Sequence, residues 1–87
     1  MIHRDKIREA ENLIRPYIRQ TPLISIDGAE LGLQSSQIVL KLELFQHSGS
    51  FKARGAFTNM LMRTVPDAGV VAASGGNHGA AVAFAAL

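Results

Sequence analysis

The chain has 87 residues, no cysteine, 47% hydrophobic and 18% charged residues, and a formal net charge of +2. That is too apolar and too weakly charged for a disordered segment, and without cysteine there is neither a disulfide framework nor a thiolate metal site, so nothing calls for an oxidising compartment. The longest apolar run, Ala80–Leu87, falls far short of the ~20 residues a membrane helix needs, and Met1–Lys6 opens with charge instead of the apolar core of a secretory signal.

From His3 to Arg15, Ile7, Ala10, Leu13 and Ile14 recur at helical spacing, with charged residues on the other face. Five of the nine Lys and Arg residues lie in the first nineteen positions, mixed with Asp5, Glu9 and Glu11. This is the pattern of a solvated helix face and not of a nucleic-acid footprint. Pro16 stops the helix, because an interior proline loses a hydrogen bond and clashes with the preceding turn. Thr21-Pro22 forces an extended step into a short strand over Leu23–Ile26. Asp27-Gly28-Ala29-Glu30 has the spacing of a capping box and opens a short helix that Gly32 weakens or ends. Gln37–Leu44 sets Ile38, Leu40, Leu42 and Leu44 on one face against Gln37, Val39, Lys41 and Glu43, which reads as a strand. A polar turn, Gln46–Ser50, leads into a helical pattern from Phe51 to about Arg63, broken by Thr64–Gly69. Val70–Ala73 is a candidate buried strand. The loop Ser74–Gly79 and a small-residue helix from Ala80 follow.

Strands alternating with helices indicate an α/β design with at least partly parallel pairing. Ala80–Leu87 is apolar on every face and ends without a capping glycine or a terminal cation. Such a helix needs neighbours on all sides, so the chain is expected to be the N-terminal piece of a larger protein. Alone it is expected to have bare strand edges and to self-associate.

Two loop-to-helix junctions could carry chemistry. In Ser48-Gly49-Ser50-Phe51-Lys52-Ala53-Arg54-Gly55, Ser50 is a candidate N-cap and Lys52 falls in the first helical turn. A cation there opposes the helix dipole, which together with a dry pocket would favour the neutral amine that forms a Schiff base. Read alone, Lys52 is better explained as a solvated side chain packing its stem on the helix. In Ser74-Gly75-Gly76-Asn77-His78-Gly79, glycines allow close approach of a ligand and the unpaired N–H groups at the helix start suit an anion; a loop that only turns the chain fits as well. The run is neither a Walker A loop nor a dinucleotide fingerprint. His3, His47 and His78 are scattered without metal-ligand spacing, so no metal site is expected.

Taken together, Lys41-Leu42-Glu43-Leu44-Phe45-Gln46, the Ser48–Ala56 run and the Ser74–Gly79 loop resemble the fold-type II pyridoxal-phosphate enzymes, in the branch of threonine/serine dehydratase and serine racemase. Arg19–Leu23 and the N-terminal helix resemble the same family. The resemblance implies the two-domain, tryptophan synthase β-like architecture, here incomplete. Residues 1–52 would belong to the large cofactor-binding domain and 53–87 would start the small one. It also implies pyridoxal 5'-phosphate as cofactor, a small hydroxy amino acid as substrate, and a cytoplasmic, homo-oligomeric parent protein with no nucleic-acid or membrane partner.

By the same resemblance, Lys52 carries the cofactor, is displaced by the substrate and then removes its α-proton. Phe51 packs against the cofactor ring, Asn77 hydrogen-bonds its phenolic oxygen, and Ser74, Gly75, Gly76, Asn77 and His78 receive the substrate carboxylate. Serine racemases carry a serine where this chain has Gly75, which favours elimination over racemisation. His47 stands where animal serine racemases have a nucleotide-binding lysine, which speaks against activation by ATP. The family's phosphate cradle and the residue facing the pyridine nitrogen lie beyond Leu87, so the 87 residues alone are expected to have no turnover.

Overall fold

A computed structural model describes residues 1–87. Helix α1 spans Arg4–Ile14, strand β1 Leu23–Asp27, strand β2 Gln37–Lys41, helix α2 Lys52–Leu61 and helix α3 Asn77–Ala85. Short 3₁₀ turns occupy Gly28–Leu31, Glu43–Phe45 and His47–Gly49.

Helix α1 forms where the apolar periodicity places it, and Asp5 in its first turn complements the dipole. Glu11 and Arg15 pair one turn apart on its surface. Of the expected apolar face only Ile14 is buried, whereas Ile7 and Leu13 remain exposed. After Pro16 the chain runs to β1, which pairs with β2 in antiparallel register from Leu23↔Lys41 to Asp27↔Gln37. The parallel pairing expected from the element order is therefore absent within these residues, since consecutive strands joined by a short connection pair antiparallel.

Asp27 Oδ1 accepts the Ala29 N–H, which caps the turn at its second residue; the two bonds of the expected capping box, from the Glu30 N–H to Asp27 and from the Asp27 N–H to the Glu30 carboxylate, are not made. Gly32, at φ 76°, ends that turn as expected. Strand β2 stops at Lys41, three residues before the expected Leu44, because its partner runs out. Pro22 precedes β1 and has no N–H; its carbonyl accepts the last bond, from Leu42 N–H at 2.9 Å. Leu42 then turns at ψ 72° into the Glu43–Phe45 turn.

Val70–Ala73 forms no strand, having no ladder partner among these residues. Helix α3 begins at Asn77 instead of Ala80, so half of the expected loop is helical. The Ala80 N–H already bonds the Gly76 carbonyl, and Ser74 Oγ accepts the N–H groups of Gly76 and Gly79.

Helices α2 and α3 meet through Ala53, Ala56 and Ala81, all nearly inaccessible, with Val82 and Ala85 at the margin. Small residues let the two backbones approach closely. A chain of rings extends from this contact. Tyr17 stacks on Phe57 at 5.7 Å, Phe57 meets Phe84 edge-on at 6.2 Å, and His47 stacks on Phe84 at 4.5 Å. The rings tie the end of α1 and the His47–Gly49 turn to both helices.

This core is small. Only nine of 87 residues are buried, and the accessible surface of 6722 Å² exceeds the roughly 5,000 Å² of a compact protein of this mass. The radius of gyration is 15.9 Å, against about 12 Å for a compact domain of this length. The uncovered apolar side chains include Leu23, Ile24, Val39 and Leu40 of the two strands.

Candidate active site

The turn before α2 is built for one purpose, to reverse the chain tightly and present the first turn of the helix. Ser48 (φ 60°) and Gly49 (φ 80°) both take left-handed conformations. Ser50 is extended and nearly buried, and its Oγ accepts the Lys52 N–H at 3.3 Å. That is the capping role expected of Ser50, and it places Lys52 in the first turn. The Lys52 side chain is exposed, with Nζ 5.3 Å from the centroid of the exposed Phe51 ring. The dry surroundings expected for this amine are thus not supplied by these 87 residues.

Ser48 carries two costs at once. Its left-handed backbone is strained by about 1 kcal/mol or more for a residue with a Cβ, and its Oγ is buried without a hydrogen-bond partner. Ser48→Gly is therefore expected to stabilise the protein by about 1 kcal/mol after allowing for the extra freedom of glycine in the unfolded chain. A denaturant midpoint that moves down instead of up would contradict this.

Behind the turn lies a polar cluster that the sequence patterning did not reveal. Glu43 sat on the polar face of the expected strand, yet its side chain is only 13% exposed. Its two carboxylate oxygens are taken by Arg54 Nε and by Thr21 Oγ1, the latter at 2.5 Å. Gln46, 2% exposed, clasps the neighbouring segment: its Oε1 accepts from Arg19 N–H at 2.9 Å and from His47 N–H at 3.1 Å, and its Nε2 donates to the Arg19 carbonyl at 2.8 Å. Arg19 in turn donates to the Phe45 carbonyl at 3.2 Å. The signal available in the sequence was slight: Glu43 stands between two leucines, and Arg54 between an alanine and a glycine.

Burial pulls the Glu43 carboxyl upward, but hydrogen bonds from Arg54 and Thr21 and the charges of Arg54 and Lys41 outweigh it and hold the group below the ordinary carboxylate range. A carboxylate lowered in the folded state contributes stability above its unfolded pKa and loses it as pH falls through the lowered value. The melting temperature should therefore drop with acidification across that range, and Glu43→Gln should flatten this part of the curve. Parallel pH profiles for the two proteins would contradict the assignment.

At the second junction Ser74, Gly75, Gly76, Asn77 and His78 are all exposed. The N–H groups of Gly75, Asn77 and His78 make no hydrogen bond within the chain, nor does the Asn77 side chain. A Cβ on Gly75 or Gly76 would meet nothing within 4 Å, so the loop is open to an approaching group. A cavity of about 350 Å³ between α2, the Thr64–Pro66 bend and α3 is lined by His78, Ala56 and Val82 among others, but by neither Lys52 nor Asn77. The two junctions are joined through the α2–α3 contact and the His47–Phe84 stack.

The family of pyridoxal-phosphate dependent enzymes matches this chain over residues 14–87. The chain belongs to that family. Its relatives include serine racemase of Oryza sativa subsp. indica and the catabolic L-threonine dehydratase of Staphylococcus aureus (strain USA300). Each is 43% identical over 82 residues, which cover 92% of this chain and 24% of the relative. Among solved structures, maize serine racemase superposes with a TM-score of 0.78 at 42% identity, covering 94% of this chain and 26% of that one. The T.th. threonine deaminase gives 0.77 at 39% identity, covering 94% and 29%. The chain thus spans about a quarter of the length of the relatives it matches and corresponds to the N-terminal part of the fold-type II architecture.

Pyridoxal phosphate is the cofactor of this family, and the residues present fit it. An accessible amine lies beside an aromatic ring at the start of α2, and a free amide side chain stands at the start of α3 with three unpaired backbone donors around it. The donor set suits a ring bearing a carbonyl, an oxygen acceptor and a nearby anion. No helix of the chain is long and apolar enough to cross a membrane.

Proposed function

We propose that the polypeptide carrying this chain is a dehydratase (ammonia-lyase) that removes the β-hydroxyl of L-threonine or L-serine, giving a 2-oxo acid and ammonia. Lys52 would bind the cofactor covalently and take the substrate α-proton at Nζ. Pyridoxal phosphate, when bound, supplies an electron sink for the charge that develops at the substrate Cα. Phe51 offers a ring face to the cofactor, and the Asn77 amide donates to the cofactor's phenolic oxygen. The free N–H groups of Gly75, Asn77 and His78, at the positive end of α3, receive the substrate carboxylate. Ser74 Oγ accepts from Gly76 and Gly79, which leaves its own proton to donate to the same carboxylate. In this reading Lys52 also marks the boundary between residues 1–52 of a larger domain and 53–87 of a smaller one.

One observation carries the choice of elimination over racemisation: position 75 is glycine in an open setting, with nothing within 4 Å of where a Cβ would lie. A serine would fit there, so its absence removes a proton-transfer group and not a steric conflict. Elimination needs a base on the lysine side alone; inversion at Cα needs a second acid or base on the opposite side. With L-serine, the complete polypeptide is expected to form 2-oxo acid at least about 100-fold faster than D-serine, and Gly75→Ser should narrow that ratio. Comparable rates in the unsubstituted protein would favour the racemase, the activity named for the rice and maize relatives.

A further inference from the structure

We propose that Glu43 is a positioning residue that sets the direction in which Lys52 leaves helix α2. The inference rests on Lys52 being the cofactor lysine. Arg54 follows Lys52 by two positions, and at about 100° per residue the two side chains leave the helix roughly 200° apart. Fixing Arg54 on one side therefore sends Lys52 to the other. Arg54 is fixed by the Glu43 carboxylate, and that carboxylate is itself fixed by the hydroxyl of Thr21, a residue only 5% exposed.

The anchor does not drift, because its own backbone is tied down. Glu43 opens the turn that ends at Phe45, and the following Gln46 is hydrogen-bonded on both sides of its amide to Arg19. The cluster therefore links the segment after α1, the end of β2 and the first turn of α2. The cap from Ser50 to the Lys52 N–H fixes where the helix starts, but not its rotation about its own axis. Packing of Ala53, Ala56 and Phe57 sets which face of α2 is buried, and the Glu43–Arg54 pair holds that rotation at the first turn, where Lys52 leaves.

The test uses the complete polypeptide with Glu43→Gln, which keeps the size of the side chain and removes its charge. Three readouts are followed: far-UV circular dichroism, amide exchange at Phe51–Arg54, and the pH midpoint of the visible absorbance of added pyridoxal phosphate. With native helix content, exchange at Phe51–Arg54 is expected to quicken about tenfold while Ile7–Ile14 is unchanged, as loss of a charged hydrogen bond implies. The pH midpoint should shift, which a purely structural loss would not cause. Native exchange together with a native midpoint overturns the proposal.

Should Glu43→Gln fail to fold, Thr21→Val decides. It leaves the ion pair intact and is expected to quicken the same exchange about threefold; no change overturns the proposal. Failure of the cofactor reading is recognised separately, because Lys52→Ala would then keep the visible absorbance while the exchange data still judge Glu43.

Discussion

Lys52→Ala in the complete polypeptide is expected to lower kcat/KM for 2-oxo acid formation from L-threonine by about 1,000-fold or more, the scale of removing a positioned general base, with the covalent link to the cofactor lost as well. Two features of the chain point to this residue and to neither of the other lysines. Lys52 alone stands in the first turn of a helix whose start is fixed by a buried serine, and it alone lies beside an exposed aromatic ring. Lys6 lies in the exposed charged face of α1, and Lys41 ends β2 opposite Leu23. Lys52→Arg should be as inactive as the alanine variant, because a guanidinium keeps the charge but provides no neutral amine. A small exogenous amine should restore part of the rate in the alanine variant and none in the wild type. Activity within tenfold of wild type in Lys52→Ala would remove the residue from the chemistry.

The second large effect belongs to Gly79. A Cβ at this position would lie 2.7 Å from the Ser74 carbonyl oxygen, closer than such atoms can approach. That oxygen is backbone, so it yields only if the loop moves. The same loop is held by the bond from Gly79 N–H to Ser74 Oγ at 3.2 Å. Gly79→Ala is therefore expected to destabilise the protein by about 1–3 kcal/mol and to displace the three unpaired N–H donors at the start of α3. A displacement of about 1 Å at a positioning group can cost ~100-fold in rate, so kcat/KM should fall by roughly 10- to 100-fold. Gly76→Ala is the control for stability, because its Cβ would enter open space. Equal stability of the two variants would contradict the steric account.

The two junctions were legible in the sequence because each is a local feature. Ser50 caps the turn it was expected to cap, Gly32 ends the short helix it was expected to weaken or end, and α1 follows its own periodicity. The departures arise where a distant partner decides. Strand β2 ends at Lys41 because β1 begins only after Pro22, a limit set by pairing and not by the pattern of Leu42 and Leu44. Val70–Ala73 has strand character but no strand beside it. Helix α3 starts early because a serine hydroxyl five residues before Gly79 takes its N–H, a bond that capping rules at adjacent positions do not anticipate.

The same reason hid the Glu43 cluster. Alternation placed Glu43 on the strand face opposite the leucines, whereas the turn at Leu42 carries it inward to Thr21 and Arg54. Its partners lie 22 and 11 residues away in the chain, and no local pattern joins them. The resemblance of Arg19–Leu23 and Lys41–Gln46 to one family had no physical explanation at the level of the sequence. The hydrogen bonds between these two segments provide one, since Gln46 and Glu43 tie them together directly behind the lysine-bearing turn.

The central claim is that Lys52 holds the cofactor, and covalent trapping tests it most directly. The complete polypeptide would be saturated with pyridoxal phosphate, reduced with borohydride, digested and mapped by mass spectrometry. A stable pyridoxyl group on Lys52, with Lys6 and Lys41 unmodified, is the predicted result. Modification spread over the three lysines, or absent from Lys52, would contradict it.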